Sequence, residues 1–189
     1  LANPGINTGD AAGDVYISIE GLVGSAVADT LIGNSANNFL RGQGGGDSLI
    51  GGGGFDFADY INAASGVTID LANASNNTGE ALGDTFVSIE GIRGSAFNDI
   101  LRGDDVLNGG NAVNELIGGL GADTIDGGGG FAYADYRNSA IGLIVSLANS
   151  AINTGEAAGD VFISIEGLIG SDNDDTLIGD GGSNFIAGG

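Results

Sequence analysis

The sequence predicts an all-β fold, a parallel solenoid of very short strands, and three observations predict it. Glycine and aspartate recur on a nine-residue clock, as in GQGGGDSLI at Gly42–Ile50. Nine residues are too few for a helix with its connections, and 39 glycines in 189 residues oppose helix at about 1 kcal/mol for each interior glycine. The clock is itself nested in a longer repeat, the mark of a stacked architecture.

The long repeat aligns NTGDAAGDVYISIEGLVGSAVADTLIG (Asn7–Gly33) with Asn77–Gly103 and Asn153–Gly179, at offsets of 70 and 76 residues. It divides one continuous solenoid into units at 1–70 and 71–146 and a truncated third at 147–189. The chain therefore reads as an internal piece of something longer, and it opens with neither Met nor a basic-then-apolar signal segment.

Inside each unit, nines run from Gly24: GSAVADTLI, GNSANNFLR, GQGGGDSLI and GGGGFDFAD. Position 6 reads Asp29, Asn38, Asp47 and Asp56, and position 8 reads Leu31, Leu40, Leu49 and Ala58. The second unit has GSAFNDILR with Asp99, a shortened GDDVLN with Asp105, then nines placing Asn114, Asp123 and Ala132 at position 6. The third has Asp175 and Asn184. Three residues around position 8 suit a minimal strand with one side chain inward. The other six turn the corner, where glycine supplies positive φ. Two nines make one coil, and coils stack at about 4.8 Å.

Stacking sets residues 18 apart above one another: Asp29 by Asp47, Asn38 by Asp56, Asp105 by Asp123. Aligned carboxylates repel, and a hard cation removes that penalty. Carboxylates with carbonyls of glycine-rich turns make an all-oxygen site that suits calcium better than magnesium. The candidate ligands are Asp29, Asn38, Asp47, Asp56, Asp99, Asp105, Asn114, Asp123, Asp175 and Asn184. The turn glycines Gly42, Gly44, Gly51, Gly53, Gly118 and Gly127 shape the sites, and the turn count gives roughly four to eight calcium ions.

GQGGGDSLI and GGLGADTID closely follow G-G-x-G-x-D-x-U-x, and GNSANNFLR and GGNAVNELI follow it with Asn for Asp. In this the chain resembles the RTX (hemolysin-type) calcium-binding nonapeptide-repeat family. The resemblance implies a right-handed parallel β-roll, type I secretion from a Gram-negative bacterium, and folding where calcium is millimolar. It departs at Ala132, where the carboxylate is lost.

The longer connections, such as Gly66–Gly94, show alternation at Val67, Ile69 and Leu71 and again at Thr85, Val87 and Ile89. Both segments read as strands wider than those of the nines, with a projecting polar loop between them. Asp14, Asp84 and Asp160, with Glu20, Glu90 and Glu166, read first as solvated or turn-capping acids. Extra metal sites, with Glu80 or Glu156, are the alternative. Tyr60 and Tyr136 fill a core edge. Phe55 and Phe131 suit a cover over the site or plain surface.

Composition excludes other classes. The formal net charge is −21, with 25 acids against four arginines, so nucleic acid is not a partner. Cysteine is absent, and no apolar run reaches the roughly 20 residues of a membrane span. Without His or Lys, and with acids recurring as structural ligands would, no active site is expected. The expected role is a calcium-binding structural module of a secreted or cell-surface protein. End-to-end stacking into adhesive or surface-layer assemblies, or service as the accessory roll of a secreted enzyme, are the alternatives.

Overall fold

A computed structural model describes residues 15–104 and 113–189. Through them run seventeen strands; all have three residues except two of five. Eight stack in one sheet in chain order: β1 (Gly21–Val23), β3 (Phe39–Arg41), β5 (Phe57–Asp59), β8 (Gly91–Arg93), β10 (Val113–Ile117), β12 (Phe131–Asp135), β15 (Gly167–Ile169) and β17 (Phe185–Ala187). The alternate strands form three shorter stacks. The first holds β2 (Thr30–Ile32), β4 (Ser48–Ile50) and β7 (Thr85–Val87). The second holds β6 (Thr68–Asp70), β9 (Ile100–Arg102), β11 (Thr124–Asp126) and β14 (Val161–Ile163). The third pairs β13 (Ile144–Ser146) with β16 (Thr176–Ile178). Neighbouring strands pair parallel, as the solenoid requires.

The nines explain the strands. Each contributes one inward residue, and the register sets like on like: Leu22 beside Leu40, Leu31 beside Leu49, Leu101 beside Ile125. Leu40, Leu49, Ile69, Ile92, Leu101, Leu116, Ile125 and Leu168 are wholly buried in one core cluster. Each such side chain contributes roughly 1.5–3 kcal/mol. The outward positions carry charge ladders instead, with Arg41 on Asp59 and Arg137 bridging Asp135 and Glu115.

The long connections build wider coils. After β5 the chain passes through both β6 and β7 before rejoining the long sheet at β8. There β7 ends the first short stack and β6 begins the second; β14 and β13 repeat the manoeuvre. The expected wide strands are not found, since β6 and β7 have three residues each. Ser88 takes φ 52° and ends β7, so Phe86 rather than Val87 faces inward, beside Leu49. Nor does the intervening loop project throughout. It folds into 3-10 turns at Ala74–Asn76 and Gly79–Ala81, with Ala81 and Asn77 buried. The Asn77 amide fastens it, accepting from Asp70 N–H and donating to the Asp84 carbonyl.

Candidate metal sites

The turns between strands carry the acids, and stacking arranges them in columns. In the first column Asp29 N–H donates to Asp47 Oδ1 at 2.8 Å, and Asp47 N–H donates to Asp84 Oδ1 at 2.7 Å. In the second, Asn38 N–H donates to Asp56 Oδ1 and Asp56 N–H to Glu90 Oε2. In the third, Val67 N–H donates to Asp99, Asp99 N–H to Asp123, and Asp123 N–H to Asp160. Each acid therefore spends one oxygen on the backbone of the coil before it. What its second oxygen does divides the turns into three kinds.

In the first kind a serine at position 2 takes it. Asp29 Oδ2 accepts the N–H and hydroxyl of Ser25, and Asp99 Oδ2 accepts those of Ser95. Asp175 and Ser171 repeat the pattern. The asparagine turns close likewise, with Asn38 accepting from Asn34 N–H and Asn184 from Asp180 N–H. Asn114 closes a turn on Asp104 N–H.

The second kind belongs to the wide coils. Asp84 Oδ2 accepts the buried hydroxyl of Tyr60 at 2.6 Å, and Asp160 that of Tyr136 at 2.6 Å. Both tyrosines thus occupy the core edge and also latch an acid. Asp84, Asp160 and Glu90 are turn-capping groups, and they are buried rather than solvated.

In the third kind the oxygen has no partner at all. Asp47, Asp56 and Asp123 are buried to 1%, 0% and 0% exposure, and the Oδ2 of each makes no hydrogen bond. These turns read GQGGGD, GGGGFD and GGLGAD. Their position 2 is left-handed: Gln43 at φ 69°, Gly52 at 108° and Gly119 at 97°. Position 4 is left-handed too, at Gly45, Gly54 and Gly121. The glycine at position 1 is needed for another reason. A Cβ on Gly42, Gly51 or Gly118 would strike the carboxylate of its own turn. Gly44 and Gly53, by contrast, have room for one.

A buried carboxylate oxygen without a donor is costly, and burial itself raises the pKa of all three acids. Burial pushes Asp123 up to about 7, with Asp160 and Asp99 adding repulsion. Burial also raises Asp47, against the hydrogen bond from Asp29 N–H, and raises Asp56. Asp160 is raised to about 6, again chiefly by burial. A cation beside Oδ2 would supply the missing partner, so the residues fit a hard metal ion. Among the described residues no three acidic side chains converge. The turn's own carbonyls would have to complete the shell, as calcium's flexible oxygen coordination allows.

Asp123 stacks on Asp99, 24 residues back, and Asp105, its expected neighbour, lies outside the described residues. Gly103 and Asp104 meet the Asn114 side chain as Gly33 and Asn34 meet that of Asn38. Asp84 and Asp160 were legible as members of the columns, because GEALGDTFV and GEAAGDVFI are themselves nines with acid at 6 and Phe at 8. Gly127–Ala132 retains left-handed Gly128, yet Ala132 brings no oxygen to it. Phe55 and Phe131 pack on Phe57 and Tyr133.

Parallel coils with aspartate-bearing glycine turns define a calcium-binding repeat solenoid. Residues 23–58, 102–131 and 168–189 match the model of the RTX calcium-binding nonapeptide repeat, in four copies. Those segments carry the repeat of that family. No curated protein matches it as a relative.

Proposed function

We propose that this chain is a calcium-dependent structural module of a secreted or cell-surface bacterial protein, and that it folds on meeting calcium outside the cell. The observation that carries the reading is the set of three buried, unpartnered carboxylate oxygens on Asp47, Asp56 and Asp123. Without metal these turns bury charge that nothing offsets, in a chain whose net charge is already −21. That repulsion favours a loose chain at the low calcium of a cytoplasm, as threading through an exporter requires. Calcium supplies positive charge and oxygen-seeking coordination at the turns, so its binding free energy becomes folding free energy.

The role is structural rather than catalytic. The open carboxylates recur with the repeat, and no histidine or lysine stands beside them to move a proton. Among the described residues no helix is long and apolar enough to cross a membrane.

Far-UV circular dichroism tests the reading. After exhaustive chelation the chain is expected to give a coil-like spectrum at neutral pH, and calcium a cooperative rise of β signal that magnesium does not reproduce. A spectrum already β-rich in chelator and unchanged by calcium would overturn it.

A further inference from the structure

We propose that the second residue of each turn decides whether that turn takes calcium: serine, asparagine or aspartate closes it, and left-handed glycine or glutamine opens it. The inference rests on the calcium-binding reading above and divides the repeats that reading treats alike.

The argument begins with reach. Ser, Asn and Asp have a side-chain oxygen that can accept the backbone N–H two residues on, holding a right-handed local turn. Five such residues here do so, among them Ser25, which accepts from Val27 N–H. Ser95 accepts from Phe97 N–H, Ser171 from Asn173 N–H, Asn34 from Ala36 N–H and Asp180 from Gly182 N–H. In that geometry the N–H of position 2 points at the acid of position 6, with separations of 2.5–2.8 Å in the turns ending at Asp29, Asn38, Asp99, Asp175 and Asn184. The serine hydroxyl adds a second donor. The side chain that would bind a cation is already satisfied by its own turn.

Glycine has no such oxygen and enters the left-handed region without strain. Glutamine is too long for the local bond, and Gln43 Nε2 instead reaches across to the Gly24 carbonyl of the neighbouring coil. With position 2 left-handed its N–H no longer meets the acid, and Oδ2 is left bare in all three cases. Five closed turns and three open ones follow the rule among the described residues, although Asp29, Asp99 and Asp175 carry the same aspartate as the open turns. The serine turns are therefore complete without metal.

Exchanging turns within the intact chain tests this. Gly119→Ser, Leu120→Ala and Gly121→Val together make residues 118–123 read as 24–29 do. Ser95→Gly, Ala96→Leu, Phe97→Gly and Asn98→Ala make 94–99 read as 118–123 do. Calcium bound per chain at saturation is counted by equilibrium dialysis, with circular dichroism confirming the fold. The closed exchange is expected to lose one calcium and the opened exchange to gain one. Unchanged counts in folded variants overturn the rule while leaving calcium-driven folding intact; a parent chain that binds no calcium overturns that reading itself. Should the closed exchange fail to fold, the opened one decides by its count alone.

Discussion

The turns ending at Asp99 and Asp123 lie one above the other, share an aspartate at the same position, and are joined by a 2.8 Å hydrogen bond from Asp99 N–H to Asp123 Oδ1. Yet Asp99 has both oxygens satisfied by donors of the protein, whereas Asp123 keeps one buried oxygen bare. Aspartate at position 6 is therefore not sufficient to make a metal site. The protein combines turns that are complete without metal with turns that are not, and the incomplete ones make the fold conditional.

The broadest way to break that contrast is pH. Asp123 and Asp160 are raised to about 7 and about 6, and Asp47, Asp56, Asp84, Asp99 and Glu90 are raised as well, each chiefly by burial. Their unfolded values are roughly 4. A carboxyl raised on folding stabilises the fold fully below its unfolded value and loses that contribution as pH rises through the folded one. Metal-free chain is thus expected to be most stable near pH 4 and to lose stability progressively up to about pH 7, in thermal melts with chelator. Saturating calcium, which needs the ionised form, is expected to abolish or reverse the trend.

A narrower break lies above the open turn. Tyr136→Phe removes the donor that closes Asp160 and leaves a second buried oxygen bare. It is expected to cost about 1–3 kcal/mol in denaturant unfolding, with Tyr60→Phe matching it at Asp84. Next comes Asp123→Asn, whose effect should change sign with metal. In chelator it removes buried charge and stabilises the fold; in calcium titrations it raises the folding midpoint by about tenfold, a loss of roughly 1.4 kcal/mol. The smallest effect is expected for Ser95→Ala. It should cost about 1 kcal/mol for the lost hydroxyl bonds, equally with and without calcium. A calcium-dependent cost there would erase the distinction between the turns.

Much of this was legible in the sequence. The nine-residue phase placed the inward residues, because a three-residue strand has one inward side chain and position 8 was apolar throughout. It also placed Asp29 on Asp47 and Asn38 on Asp56. The Asp99 neighbour of Asp123 was not read, because the extra residues between those nines break the 18-residue offset. The wide coils were misread for a related reason. The alternation at Thr85, Val87 and Ile89 ignores the left-handed Ser88, which reverses the facing pattern. The serine closures were the least accessible of all. Ser25, Ser95 and Ser171 recur visibly, but only coordinates show their hydroxyls on the acid four residues on.

The most direct test is a crystal structure of the chain grown with calcium, read through anomalous difference density. The account predicts cation density beside the second oxygens of Asp47, Asp56 and Asp123, and none at Asp29, Asp99 or Asp175. Density at the serine-closed turns, or its absence from the open ones, would contradict it.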